Sequence, residues 1–136
     1  MEDRIAFARA ARDMLGCPFR LRGRDPQRGI DCVGLVVLAL ERCGRTIRVP
    51  LDYTLANLTV EQWLPFAEDG GLDPIADGPL LSGDILLARP GPARFHLLVA
   101  VGEDGFVHAD AALRKVALLP HPLRWQIYRR WRLQTR

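Results

Sequence analysis

The hydrophobic pattern divides the chain into two unlike parts. Ile5, Ala8, Ala11 and Leu15 recur at helical spacing over residues 4 to 15, which predicts a first helix ended by Gly16. Residues 16 to 31 are rich in Gly, Pro and Arg and read as a loop. Then comes Asp31-Cys32-Val33-Gly34-Leu35-Val36-Val37-Leu38-Ala39-Leu40, followed by Glu41, Arg42, Cys43 and Gly44. A run of this length, apolar all round, predicts a buried helix rather than a strand. Asp31 suits its N-cap and Gly44 its C-terminal stop. Residues 45 to 82 are turn-rich, with one short helix expected near Val60 to Glu68.

From Gly83 the pattern changes to strands. Asp84 to Arg89, Phe95 to Val101, Gly105 to Ala109, Arg114 to Leu119 and Gln126 to Leu133 are short apolar or alternating runs. Pro90-Gly91-Pro92, Asp104-Gly105 and Pro120-His121-Pro122 separate them as turns. Helices first and an antiparallel meander afterwards make an α+β fold. With no internal repeat, low-complexity tract or linker, residues 1 to 136 are expected to form one domain, long enough to bury a core without staples.

Composition changes this picture little. Hydrophobic residues are 49% and charged residues 26%, ordinary for a globular chain, and the formal charge is only +3. The densest basic cluster, Arg129, Arg130 and Arg132, lies among Trp125, Tyr128 and Trp131. Such interleaving can bind nucleic acid or a membrane surface. An edge strand with solvated arginines explains it more simply, so no nucleic-acid partner is expected. The longest apolar run, Val33 to Leu40, is too short to span a bilayer. The charged start Met1-Glu2-Asp3-Arg4 is not a secretory h-region, so the expectation is synthesis in the cytoplasm without a signal peptide. Three cysteines without a CxxC pair argue against a disulfide framework.

The candidate chemistry sits where the two parts should meet. Cys32 falls at the N-terminus of the buried helix, where free backbone N–H groups and the helix dipole favour a thiolate. On position alone, a reactive thiol and a small buried residue are equally good readings. Cys17 and Cys43 carry no such signal, and Cys43 lies at the end where the dipole disfavours a thiolate. A thiolate nucleophile needs a base that can also protonate the leaving amine, and histidine titrates in that range. His121, between two prolines, reads as a surface residue. His96 and His108 each interrupt an apolar strand, and the two strands form one hairpin. His108 could then hold the His96 imidazole in the useful tautomer. If Glu103-Asp104-Gly105 is a three-residue loop, however, the two histidines stand four residues out of register, roughly 13 Å along ideal strands. A zinc site is disfavoured because no spacing matches CxxC, HxxxH or HExxH, and no metal or other cofactor is expected.

Gly16-Cys17-Pro18-Phe19, Gly29-Ile30-Asp31-Cys32-Val33-Gly34-Leu35-Val36, Ser82-Gly83-Asp84-Ile85-Leu86-Leu87, His96 and Phe106-Val107-His108-Ala109 occur in the order of the NlpC/P60 cysteine peptidases. Over nearly its whole length the chain resembles this family, and most of all the phage-type cell-wall peptidases found with tail and gene-transfer-agent proteins. The resemblance implies a papain-like α+β fold, with N-terminal helices packed on an antiparallel sheet. It implies cleavage of peptidoglycan stem peptides, typically between D-glutamate and a diamino acid. It assigns Cys32 as nucleophile, His96 as base and His108 as polar third member, with phage-like tail proteins as partners and delivery to the periplasmic wall in a particle.

Two positions depart from the family pattern. Val33 stands where most members carry Ser, and Phe19 replaces a tyrosine whose hydroxyl helps position the nucleophile or the oxyanion. Losing one such donor costs about 10²–10³ in rate. The remaining positioning groups are Asp31 and the backbone N–H of Cys32. Arg20, Arg22 and Arg24, with Arg28, lie beside the nucleophile and could meet substrate carboxylates through bidentate pairs, while the segment from Arg45 to Leu81 would shape access. A non-catalytic tail component that binds peptidoglycan or tail proteins is the alternative, and an amidase or acyltransferase would use the same residues.

Overall fold

A computed structural model describes residues 2–49, 60–91 and 94–134. The first helix, α1, spans Glu2–Arg12 and runs on through turns to Gly16, whose φ is +88°. Its buried face is Phe7, Ala8, Ala11 and Met14, while Ile5 and Leu15 stay 43% and 38% exposed. The large side chains two turns apart, Phe7 and Met14, set the face, and the predicted apolar stripe ends up along its edge.

Helix α2 spans Cys32–Arg42 and is buried around almost its whole circumference. Asp31 caps it by accepting from the Gly34 N–H, and Gly44 follows at φ +75°. Helix α3, Val60–Asp69, agrees with the expected short helix and buries Trp63 and Ala67. The stretch 50–59 of the expected access loop, and turn positions 92 and 93, lie outside the described residues. Among the described residues no helix is long and apolar enough to cross a membrane.

The loop before α2 contains a small hairpin, β1 (Arg24–Asp25) with β2 (Gly29–Ile30). The main sheet comprises β3 (Leu72–Pro74), β4 (Ile85–Gly91), β5 (Arg94–Ala100), β6 (Phe106–Asp110), β7 (Lys115–Leu119) and β8 (Gln126–Leu133). Their order is β3-β8-β4-β5-β6-β7, all antiparallel. The meander holds from β4 to β7, but β8 returns to pair with β4 on the other side.

This corrects the edge-strand reading of the Arg129–Arg132 segment. β8 lies between β3 and β4 because Trp131 and Leu133 need a covered face, and Trp131 meets Trp63 edge-on at 6.0 Å. Arg130 and Arg132 tie it to distant segments rather than being merely solvated. Arg132 makes two bonds to the buried carboxylate of Asp84, at 2.7 and 2.9 Å, and Arg130 donates to the carbonyls of Ile75 and Gly78. Among the described residues, the short β3, ending in a proline that cannot donate, is what stands outside it.

Helices α1, α2 and α3 cover one face of the sheet. There α1, α2 and α3 pack on Ile85, Leu87, Leu97, Val99, Val107 and Trp131. The opposite face carries Leu86, Ala88, Leu98, Ala100 and Phe106, covered by Leu80, Leu119, Leu123 and Trp125. Just before β4, Gly83 (φ +93°) lies against the backbone of Arg4, where a Cβ would clash. The first helix thereby docks directly on the Ser82-Gly83-Asp84 turn.

Candidate active site

The site begins at the cap of α2. Asp31 is fully buried, and its Oδ1 accepts from Gly34 N–H (2.8 Å) and the Arg24 guanidinium (3.2 Å). Its Oδ2 accepts from the Arg22 N–H at 2.8 Å. One carboxylate thus caps the helix and fastens the preceding loop over it. Gly34 makes this closeness possible, since a Cβ there would strike the Gly23 carbonyl. The Asp-Cys-Val-Gly sequence is therefore a packing motif as well as a chemical one.

Cys32 is the first residue of α2 and has no exposed surface. Its sulfur meets the backbone N–H groups of Leu97, Val33 and Cys32 itself, which favour a thiolate. Burial opposes them and wins, with the Asp31 charge adding to it, so the thiol is pushed up to about 12. The helix N-terminus supplies a favourable potential worth a fraction of a kcal/mol to ~2 kcal/mol, less than the desolvation of a buried anion. In this closed arrangement Cys32 is a protonated thiol.

The Leu97 contact places the sulfur against β5 at the residue following His96. The hairpin register resolves the gap between the two histidines. β5 and β6 pair at Val99↔Val107 and Ala100↔Phe106, around a short helical turn at Gly102–Asp104 closed by Val101 N–H to the Gly105 carbonyl. The turn is centred on Glu103 rather than Asp104, and His108 then stands two residues, not four, from the position opposite His96. Diagonal neighbours at that offset are within reach of ring side chains. Nε2 of His96 lies 3.0 Å from Nδ1 of His108.

Burial lowers the pKa of His108, with Asp110 acting in the opposite sense. His108 is 4% exposed, while His96 is half-buried. Trp125 lies edge-on to both rings, at 5.8 Å from His96 and 5.6 Å from His108. A cavity of about 260 Å³ opens here, lined by Pro90, Phe95, His96, His108, Asp110 and Trp125 among others. It gives solvent a path to the histidine pair. Trp125 was grouped by sequence with the basic C-terminal segment, and nothing in its local pattern pointed to the histidines. Asp110 did carry a signal, because it lies two residues from His108 on the same strand face.

The other candidates are distributed around this centre. Phe19 is half-buried, bridges Ile30 and is held through its N–H to the Arg114 carbonyl. It therefore lies beside the segment leading into Cys32 without a hydroxyl to offer. Arg24 is engaged by Asp31 and the Gly23 carbonyl, whereas Arg20 and Arg22 are exposed. Cys17 and Cys43 are half-buried against the main core, and Cys17, Cys32 and Cys43 are all free thiols. His121 is exposed as expected, but its ring also meets Phe106 at 4.9 Å and the Gly102 carbonyl at 2.8 Å. Among the described residues, no group of three or more His, Cys, Asp or Glu is arranged to hold a metal.

No protein-family model and no curated protein matches the chain. Solved structures do. NlpC2 from Trichomonas vaginalis superposes with a TM-score of 0.71 at 21% identity, over 95% of this chain and 46% of its own. NlpC1 from the same organism gives 0.71 at 23% identity, over 95% and 44%. The NlpC/p60 domain of the peptidoglycan hydrolase SagA gives 0.64 at 22% identity, over 97% and 98%. The chain has the papain-like α+β fold of the NlpC/P60 structures. It spans less than half the length of the two Trichomonas chains and nearly all of the SagA domain.

Proposed function

We propose that the protein is a cysteine peptidase that hydrolyses the stem peptides of peptidoglycan, with Cys32 as nucleophile, His96 as base and His108 as its partner. The observation that carries the proposal is the His96–His108 pair at 3.0 Å, with His96 on the strand whose backbone also meets the Cys32 sulfur. A lone core histidine needs no second histidine at hydrogen-bond distance. The fold's likeness to SagA, described as a peptidoglycan hydrolase, supports the substrate class.

The chemistry follows from the ring nitrogens. His96 meets His108 through Nε2, and its other ring nitrogen, Nδ1, acts as the base in this reading. It takes the Cys32 proton as sulfur attacks the scissile carbonyl, and returns it to the leaving amine as the thioester forms. Water then attacks the thioester carbonyl with His96 taking its proton; the C–S bond breaks, the acid product leaves and the proton returns to the Cys32 sulfur. The backbone N–H groups at the start of α2 are the donors available to the oxyanion. The bond cut is that between D-glutamate and the diamino acid, and exposed Arg20 and Arg22 are suited to substrate carboxylates. Association with a phage-like tail, and delivery to the periplasmic wall in a particle, complete this reading. An amidase or acyltransferase would share every step up to the thioester.

Two observations favour a second reading, a catalytically weak or inactive component that binds peptidoglycan or tail proteins. Cys32 is fully buried with its thiol pushed up to about 12, and Phe19 brings no hydroxyl. The test is digestion of diaminopimelate-type peptidoglycan by the wild type and by Cys32→Ala, with released fragments identified by mass. Release by the wild type alone supports the peptidase and names the bond. Release by neither, on substrate that an active homologue cuts, favours the binding component.

A further inference from the structure

We propose that Arg114 is a specificity-determining residue: its guanidinium takes a free carboxylate of the peptide that enters the cavity beside His96 and His108. The proposal deepens the peptidase reading given above and rests on it for the identity of the peptide.

Two loops distant in the sequence place Arg114. The turn between β6 and β7 starts at Asp110, whose Oδ1 accepts from the N–H groups of Ala112 (2.8 Å) and Leu113 (3.1 Å). Asp110, Ala111 and Ala112 line the cavity, and Arg114 follows immediately before β7. Its carbonyl accepts from the Phe19 N–H at 2.9 Å, and Lys115 bridges Pro18. Phe19 in turn bridges Ile30, in the segment that enters Cys32. Arg114 therefore stands between the turn that lines the cavity and the segment that leads to the nucleophile. Arg20, next to Phe19, joins this rim from the N-terminal part of the chain.

The backbone of Arg114 is strained. Its φ is +60°, in the left-handed region where a Cβ crowds the following carbonyl. Glycine holds such positions freely, and among the described residues eight glycines have positive φ. Arg22 is the other non-glycine residue there, and its N–H is fixed by the buried Asp31. Arg114 has no such side-chain clamp, and a turn alone would be better served by glycine. Strain of this kind persists where the side chain serves a ligand or a switch. The fold itself makes no use of that side chain. Arg20, Arg114 and Lys115 are exposed, and among the described residues no ion pair or side-chain hydrogen bond holds Arg114. Asp110, the acid of the same turn, is engaged by Ala112 and Leu113 and lies 4.0 Å from Nε2 of His108. The rim is thus cationic, and a planar guanidinium grips a carboxylate through two parallel N–H donors. D-Glutamate and diaminopimelate, joined in a stem peptide, each keep a free carboxylate.

The experiment measures binding of a synthetic tripeptide of L-alanine, D-glutamate and diaminopimelate by NMR titration. The full chain carries Cys32→Ala, so that nothing is cut. Arg114→Gly in that background is expected to weaken the Kd about 10-fold. Arg114→Lys, which keeps the charge but not the fork, is expected to fall between the two. The same peptide with its carboxylates converted to amides should bind weakly, and equally with Arg114 or Gly at this position. Arg114→Gly should also melt no lower than its parent, because glycine relieves the backbone. An unchanged Kd for the acidic peptide, an equal loss for the amidated one, or no binding to the parent chain would each overturn the proposal. So would a lower melting temperature, which would give the side chain a role in the fold instead. Cleavage is read separately with Cys32 restored. A chain that binds through Arg114 but cuts no peptidoglycan would refute the proposed peptidase and leave this proposal standing. Cutting with a KM indifferent to Arg114→Gly would refute this proposal alone.

Discussion

Removing the Asp31 carboxylate should weaken the fold and make the Cys32 thiol more acidic, two effects of opposite consequence from one atom group. Asp31 is fully buried and accepts from Gly34 N–H, Arg22 N–H and the Arg24 guanidinium. Asp31→Ala deletes the N-cap, worth about 0.5–2 kcal/mol. It also strands two backbone N–H groups at about 1–3 kcal/mol each. Breaking a buried ion pair costs about 3–5 kcal/mol, but the Arg24 side chain is 23% exposed and can regain water. These costs overlap, and the expected loss is about 3–4 kcal/mol, a large share of the ~5–15 kcal/mol that holds such a domain. Asp31→Asn keeps one oxygen and should lose about 2 kcal/mol, because its amide cannot accept on both sides at once. The Asp31 charge is the second cause raising the Cys32 pKa, after burial. Taking it away should bring the thiol down from about 12. Urea denaturation measures the first effect, and thiolate absorbance followed against pH the second. Asp31→Asn within ~0.5 kcal/mol of the wild type, or a thiol titrating at the same pH or higher, would refute the reasoning.

Further outcomes can be measured independently. The unfolded Cys32 ionises near 9.0 and the folded one near 12, so its contribution is complete below pH 9 and is lost as pH rises toward 12. Relative to Cys32→Ser, the wild type should lose about 1.4 kcal/mol per pH unit above 9; parallel stability curves for the two would contradict the burial account. Asp84→Ala should cost about 2–3 kcal/mol: Arg132 loses its bidentate partner but, 26% exposed, regains water, and the Leu81 N–H loses its acceptor. Hydrogen exchange in that variant should speed up in β8 before β5 or β6, and uniform loss of protection would argue against Asp84 as the specific anchor of β8. Trp125→Ala should admit water to the histidines and raise the His108 pKa toward its ordinary value, since burial is what lowers it. An unchanged NMR titration of His108 would mean that the strands, and not Trp125, supply the burial.

The local elements were legible because local physics encodes them. The apolar run from Cys32, its Asp31 cap and its Gly44 stop specified α2, and the bounds of β8, Gln126–Leu133, follow from its own alternation and turns. The order of the residues also carried the likeness to the NlpC/P60 fold, and it singled out Cys32, His96 and His108. The sequence did not reveal β3, because three residues reading Leu-Asp-Pro have no period to detect. Nor could it tell that β8 is interior, since the choice of partner strand depends on Trp63, Asp84 and β3, all distant in the chain. The distance between the histidines turned on a one-residue shift in the centre of a turn, which slides two strands past each other by two positions. For Cys32 the sequence determined the helix N-terminus, which favours a thiolate, and only tertiary packing decided how much water the sulfur would lose. Desolvation acts over the whole surface of a group and grows with every neighbour that covers it, so it belongs to the assembled fold and to no segment of the chain.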